Sequence, residues 1–345
     1  MSTADRYGRV CQALAREPRR WLVTGAAGFI GSALTERLLE LGQSVIGLDN
    51  FMTGRRSNVE DVMARVGRRA ERFQLIVGDI RNRECCALAC RGVDVVLHQA
   101  ALGSVQRSIE DPLTTHQCNV DGFVNVVLAA RDAGVRRIVY ASSSAVYGDR
   151  TDLPHVEPHR GEPLSPYALS KRVNELYAAV FARNYGLELC GLRYFNVFGR
   201  RQDPGGAYAA VIPRWMEQLI RGERCTIFGD PGSTRDYCSV SGVVQANLLA
   251  ATAVKVDPGA AYNVGSGEGT RLGALYEAIR SAVAPHRPDV ADLAPVLGEA
   301  RPGDVAHSRA HIGAISAALG YEPCAPWSAD LAGVAQWYAR RQRPS

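Results

Sequence analysis

Residues 21–49 read WLVTGAAGFIGSALTERLLELGQSVIGLD, and this stretch decides the fold. Residues 21–24 form a short unbroken apolar run, the pattern of a strand buried on both faces. Residues 28–41 then place Ile30, Ala33, Leu34, Leu38 and Leu41 at helical spacing, and 44–49 is a second apolar strand. Between strand and helix stand Gly25, Gly28 and Gly31, spaced G-x-x-G-x-x-G. In such a turn the first glycine makes the sharp exit from the strand. The second lets backbone approach a pyrophosphate, and the third lets helix and sheet close together. The N–H groups and partial positive charge of the helix N-terminus favour phosphate there. Asp49 ends the second strand, 18 residues beyond Gly31. A carboxylate at that point hydrogen-bonds the hydroxyls of an adenosine ribose and repels a 2′-phosphate. Arg55 and Arg56 could hold that phosphate, but the acid comes first on the strand, so the reading favours NAD over NADP.

The same alternation continues outward. Residues 74–79, 93–99, 137–143 and 187–194 read as further strands, and roughly 112–133 and 166–185 as helices. Apolar strands separated by helices predict a Rossmann-type α/β fold, a doubly wound parallel sheet that binds ligands at the carboxyl ends of its strands. From about residue 209 Gly and Pro become frequent, as in IFGDPGSTRDY and VDPGAAYNVGSGEG. This predicts a smaller, mostly C-terminal α/β substrate lobe. The expected division is a helical extension over 1–20, a mainly cofactor-binding domain over 21–208 and a mainly substrate-binding lobe over 209–345, with the chain free to cross between lobes.

Composition narrows the function classes. A chain of 345 residues with 46% hydrophobic and 22% charged residues is ordinary globular material, neither disordered nor fibrous. No apolar run reaches the length of a membrane span. The opening MSTADRYGRVCQALAREPRR reads as a short Arg-rich helix without the apolar core of a secretory signal, so a soluble cytoplasmic protein is expected. The net charge of +5 is a small excess of 40 cations over 35 anions, spread along the chain. Nucleic-acid binding would need a concentrated basic stripe and a reading motif, whereas a mildly positive cleft suits an anionic small molecule. Nine cysteines without a C-x-x-C pair read as reduced thiols. His307 and His311 have the i, i+4 spacing of a helical metal pair but lack companion ligands, so no metal is expected.

The chemistry is carried by Tyr167-Ala-Leu-Ser-Lys171, whose ends share one helical face. A free phenol has a pKa near ~10, too high for a base at neutral pH. A nearby ammonium and a cationic nicotinamide ring would both lower it. Of the 40 basic residues only Lys171 and Lys255 are lysines, so a lysine in this slot is informative. Upstream, YASSSAVYG ends a strand with Ser142, Ser143 and Ser144, and a serine hydroxyl beside the tyrosine can bridge to a substrate oxygen. Asp79, at the end of the third strand, faces the adenine edge or caps the helix before Arg81.

With these residues in place, the sequence resembles the extended short-chain dehydrogenase/reductase family, and within it the bacterial nucleotide-sugar 4-epimerases acting on UDP-N-acetylglucosamine. The resemblance rests on TGAAGFIGS, LDNFMTG, GDIR, HQAALGSV, SSSAVYG, SPYALSK, LRYFNVFGRRQDP, RDY and RPGD, in that order. It implies Ser143, Tyr167 and Lys171 as the catalytic set. For NAD it implies Gly25, Gly28, Phe29, Ile30 and Gly31 in the first turn, then Asp49, Asn50, Phe51, Thr53 and Gly54. It adds Asp79, Ile80, Gln99, Ala100 and Ala101, with Asn119, Tyr167, Lys171, Tyr194 and Val197 nearer the nicotinamide. For the nucleotide sugar it implies Gly103 and Ser104, Ser142 to Ser144, Asn196, Ala210, Val211 and Phe228. Arg235 and Arg301, with Asp304 beside the latter, would hold the pyrophosphate, because planar guanidinium donors fit phosphate oxygens in pairs.

The resemblance also implies a reaction and a partner. Family dehydratases and decarboxylases carry an acid directly after, or two after, the catalytic Ser or Thr, and this chain has Ser144 and Ala145 there. Reductases would exchange NADPH freely, which Asp49 disfavours. A regulator without chemistry would have a broken Ser/Tyr/Lys set. C4 epimerisation of UDP-N-acetylglucosamine and UDP-N-acetylgalactosamine is therefore expected, in surface polysaccharide synthesis, with plain UDP-hexoses or uronic acids as alternatives. A homodimer is implied, built on helices 112–133 and 166–185. Ser308 occupies the position that lines the pocket against the sugar C2 substituent, and a small residue there leaves room for an acetamide, unless Ser308 faces solvent.

Overall fold

The computed structural model describes residues 4–205, 209–299, 307–323 and 326–341. Seven strands form the central sheet: β1 (Arg20–Thr24), β2 (Ser44–Asp49), β3 (Phe73–Val77), β4 (Val95–His98), β5 (Arg137–Ser143), β6 (Glu188–Tyr194) and β7 (Ala261–Val264). All are parallel, in the order β7-β6-β5-β4-β1-β2-β3. The chain runs outward from β1 to β3 and restarts at β4 on the other side, so the switch point lies between β1 and β4. Thr24 is in register with His98, and Ser143 with Tyr194, which gathers the carboxyl ends of four strands along one edge.

The helices used below are α1 (Ala4–Arg16), α2 (Phe29–Glu40), α3 (Gly122–Asp132), α4 (Pro166–Tyr185), α5 (Val211–Ile220), α6 (Val240–Thr252), α7 (Leu272–Val283) and α8 (Leu331–Arg341). Alternate strand residues feed two cores. Trp21 and Val23 join Leu14 of α1, Leu34 and Leu38 of α2 and Val243 of α6 on one face. Leu22 joins Phe123 and Val127 of α3 and Ala178 and Phe181 of α4 on the other. Burial on both faces is why these strands read as apolar runs and not as alternating patterns. The N-terminal extension is tied in by Gln43, which is fully buried. Its Oε1 accepts from Trp21 Nε1 at 3.0 Å, and its Nε2 donates to the Leu14 carbonyl at 2.7 Å.

One element differs from the sequence reading. The helix expected over 112–133 is divided: Pro112–His116 widens into a π turn at Gln117–Asp121 before α3 begins. The widened turn carries Asn119, whose Oδ1 accepts from Leu102 N at 2.8 Å and whose Nδ2 donates to Leu102 O and Ser170 Oγ, both at 3.0 Å. After residue 209 the chain returns to the sheet, since α6 packs on its face and β7 pairs with β6. The lobe proper has a separate core, with Trp215 and Leu219 of α5, Tyr276 and Ile279 of α7, and Val334 and Trp337 of α8. Among the described residues no helix is long and apolar enough to cross a membrane.

Candidate active site

The first turn is built as its glycines require. Gly25 has φ +69°, and a Cβ there would sit 2.9 Å from Ala100 N; at Gly31 a Cβ would lie 2.0 Å from Gly25 O. No side chain caps α2, whose N-terminus therefore keeps its N–H groups for a ligand. A cleft of about 280 Å³ opens over this turn, and Gly28, Phe29 and Ile30 line it together with Gly25 and Gly31. Asn50, Thr53, Ile80, Gln99, Ala100 and Ala101 line it too, as does Gly103, which the sequence reading gave to the substrate. Leu48, Met52, Gly78, Leu102 and Cys118 complete the wall and had no sequence signal beyond lying next to motif residues.

Both acids of the cleft are in place, each with a second task. Asp49 Oδ2 accepts from Ala27 N at 2.9 Å and Oδ1 from Phe51 N at 2.8 Å, so the carboxylate also shapes the loop it starts. Burial pushes its pKa up, and the two backbone N–H groups oppose that. Gly54 backs it so closely that a Cβ would meet Asp49 Oδ1 at 2.8 Å. Phe51 has a positive φ of 58° and stacks under Arg56, its contribution being to the loop. Asp79 accepts from Asn50 Nδ2 at 2.7 Å and from Arg81 Nη2 at 2.7 Å, and Arg81 brings it down to about 2. Asp79 Oδ1 also accepts from Arg81 N at 2.8 Å and so caps the turn there, while the cap of the following helix is Asn82.

At the edge where β5 ends, Ser143 and Tyr167 meet. The Ser143 side chain lies beside the Tyr167 phenol, close enough to bear on its titration, and its hydroxyl accepts from Ala145 N at 3.1 Å. Tyr167 is held at the start of α4 by its N–H, which donates to Ser108 Oγ at 3.1 Å, and by the Ser165 cap. Burial raises the phenol, and among the described residues only the Ser143 hydroxyl opposes it. The lowering expected from Lys171 is not seen. Its ammonium reaches under the strand end and donates to Ala141 O at 2.9 Å, and burial brings it down to about 8. His98 lies close enough to Lys171 to feel its charge and is held neutral by burial, at about 3, with Nδ1 2.8 Å from Thr24 Oγ1. Tyr194 turns its hydroxyl to Gln99 Oε1 at 3.0 Å and receives Asn247 Nδ2 at 2.9 Å.

The three serines part company. Ser144 starts the short turn Ser144–Tyr147 half-buried, beside Ser143. Ser142, expected at the substrate, points the other way, because successive side chains of a strand alternate. It is buried and donates to Glu175 Oε1 at 2.7 Å. Glu175 receives a two-pronged pair from Arg193, Nε to Oε1 and Nη2 to Oε2, both at 2.8 Å, and Arg160 Nη1 at 3.0 Å. Arg193 Nη1 also donates to the Tyr147 hydroxyl at 2.9 Å, which in turn donates to Asn263 Oδ1 at 2.6 Å. Sequence reasoning missed this network, although Arg193 is a charge in an apolar strand and Glu175 stands one turn beyond Lys171. Ser104 caps the helix Val105–Glu110 through Arg107 N.

A second cleft of about 250 Å³ brings together Asn196, Val197, Ala210, Val211, Phe228 and Arg235, so Val197 lines this cleft and not the first. Asn196 has φ +20°, and its Nδ2 donates to Asp236 O at 2.8 Å and stands 3.5 Å from Ser308 Oγ. Ser308 is half-buried and turned toward this corner. Arg301 and Asp304 lie outside the described residues. Segment 307–311 is extended, not helical, and His307 Nδ1 pairs with Thr234 Oγ1 at 2.9 Å. Among the described residues no three His, Cys, Asp or Glu side chains form a metal cluster.

A family model described as the NAD dependent epimerase/dehydratase family matches residues 21–265. The chain belongs to that family. It is an enzyme whose cofactor is NAD, and the glycine cradle, uncapped helix and acid-ended second strand fit that group. Within the family the chain is 36% identical to a UDP-glucose 4-epimerase of Mycolicibacterium smegmatis, over 94% of this chain and all of the relative. Its fold matches the UDP-N-acetylglucosamine 4-epimerase of Methanobrevibacter ruminantium, solved with UDP-N-acetylmuramic acid. That match has a TM-score of 0.86 and 31% identity over 94% of this chain and 99% of the other. It also matches a dTDP-glucose 4,6-dehydratase of Streptomyces venezuelae with NAD bound, at a TM-score of 0.80 and 30% identity over 94% and 98%.

Proposed function

We propose that this enzyme is a UDP-sugar 4-epimerase that interconverts UDP-N-acetylglucosamine and UDP-N-acetylgalactosamine through a 4-keto sugar. The observation that carries the reading is that Ser143, at the end of β5 beside Tyr167, is followed by Ser144 and Ala145 and not by an acid. A dehydratase needs a proton donor for the oxygen leaving carbon 6, and Ser144 and Ala145 supply none. NAD, when bound, supplies an oxidant for sugar C4 and a positive ring charge that favours the Tyr167 phenolate. Tyr167 takes the proton of the 4-hydroxyl and later returns one. Ser143 bridges phenol and sugar oxygen, and Lys171 stiffens the floor through Ala141 O. Asn196 and Arg235 hold the pyrophosphate side, with Arg301 and Asp304 as the remaining proposed contacts.

Preference for N-acetylated sugars rests on Ser308. Beside Asn196 it leaves room where a large side chain would meet the C2 substituent. Ser308→Tyr should block UDP-N-acetylglucosamine while sparing UDP-glucose. A variant that epimerises the N-acetyl sugar as fast as the parent refutes the gate. We also propose a homodimer: Leu169, Leu176, Tyr177 and Val180 expose an apolar stripe along α4. Light scattering that gives the monomer mass at micromolar concentration would overturn it.

A further inference from the structure

Asp236 follows Arg235 in the second cleft, yet its side chain is wholly buried. Its carboxylate is held by donors from two distant segments. Oδ1 accepts from Ser266 N and Ser266 Oγ, both at 2.7 Å; Oδ2 accepts from Gly267 N and Ala310 N, both at 3.0 Å. Packing behind it is close, since a Cβ on Gly265 would meet Asp236 Oδ2 at 2.8 Å. A buried carboxylate is costly unless its lone pairs are taken, and here four donors take them without a salt bridge being needed.

The Ala310 bond matters most for the substrate. Segment 307–311 is clamped along two edges. One edge is fixed by Ser308 N on Thr234 O at 3.0 Å and by Ala310 N on Asp236. The other is fixed by His155, whose N–H donates to Arg309 O at 2.8 Å and whose carbonyl accepts from His311 N at 2.9 Å. Ser308 sits between these fixed points and faces Asn196, and Asn196 is anchored on the backbone carbonyl of the same Asp236. One residue therefore sets both walls of the corner: through its carbonyl the Asn196 side, through its carboxylate the Ser308 side.

We propose that Asp236 is a positioning residue for sugar recognition, which keeps Ser308 at the distance from Asn196 that an N-acetylated sugar requires. The inference rests on the reading that this cleft takes a UDP-sugar. Asp236→Asn presents an amide donor either to Gly267 N and Ala310 N, which share Oδ2, or to Ser266 N on Oδ1. The hydroxyl of Ser266 is able to turn and accept from the amide, and the arrangement that releases Ala310 and Gly267 tests the clamp. Losing one hydrogen bond to a charged group corresponds to roughly a tenfold to hundredfold change.

The test compares Asp236→Asn and Ser266→Ala with the parent. It measures KM and kcat for UDP-N-acetylglucosamine and UDP-glucose, together with NAD content and melting temperature. The expected result for Asp236→Asn is a KM for UDP-N-acetylglucosamine raised at least tenfold, with kcat and NAD content changed far less. The kcat/KM ratio of the two sugars should move toward one. A lower melting temperature with unchanged KM and ratio marks a purely structural role and overturns the proposal. Should Asp236→Asn fail to fold, Ser266→Ala removes only one donor and must show the same shift about two- to fivefold; no shift overturns it. A parent that turns over no UDP-sugar refutes the underlying functional reading instead.

Discussion

Removing the Glu175 carboxylate tests how the catalytic edge is held. The side chain is buried and accepts four hydrogen bonds: Ser142 Oγ at 2.7 Å, Arg193 Nε and Nη2 at 2.8 Å each, and Arg160 Nη1 at 3.0 Å. Arg193 is 1% exposed, so in Glu175→Ala its guanidinium cannot turn to water. Breaking a buried ion pair from one side costs about 3–5 kcal/mol, because the other charge stays behind uncompensated. Replacing Arg193 as well removes that orphan. Glu175→Ala/Arg193→Met should therefore be less destabilised than the sum of the single variants, by about 1–3 kcal/mol. Urea unfolding followed by tryptophan fluorescence on all four proteins gives the cycle. Additive single effects would show that the pair is not coupled, and that β5, β6 and α4 are held by apolar packing alone.

Two further outcomes follow from close contacts and titration. Gly31→Ala puts a methyl group 2.0 Å from Gly25 O, against backbone that cannot yield, so the purified variant should lose NAD; retention of bound cofactor, read by its absorbance after denaturation, would contradict this. Lys171 is brought from 10.5 down to about 8 by burial, so between those values the unfolded chain binds more protons than the folded one and stability rises with pH. Relative to Lys171→Met, the parent should gain up to about 3 kcal/mol between pH 8 and 10.5, and a flat difference in urea unfolding would refute the assignment.

The parallel core was legible because strands buried on both faces must be apolar, as in WLVT and SVIGLD. β7 was not, because AYNV is four residues long between glycine-rich turns and belongs to the sheet only through its pairing with β6. The glycine turn and Asp49 could be read from residue types whose spacing is fixed within one turn or one strand end, and the pairing of Ser143 with Tyr167 came from the family resemblance. Ser142 could have been read correctly from strand alternation alone. The destination of its hydroxyl, Glu175, lies 33 residues away and follows only from how α4 crosses β5. Spacing placed Lys171 on the face of Tyr167, but the length of its side chain took the ammonium to Ala141 O. The role of Asp236 was not legible, since its partners, Ser266, Gly267 and Ala310, come from segments joined by tertiary packing.

The most direct measurement of the central claim uses UDP-N-acetylglucosamine carrying deuterium at C4. The enzyme as purified is incubated with it, without added cofactor, and the products are read by NMR, with Tyr167→Phe as the control. The account predicts UDP-N-acetylgalactosamine with deuterium retained at C4, no accumulated keto sugar, and no turnover by the variant. Deuterium lost to water, a 4-keto-6-deoxy product, or undiminished turnover by Tyr167→Phe would contradict it.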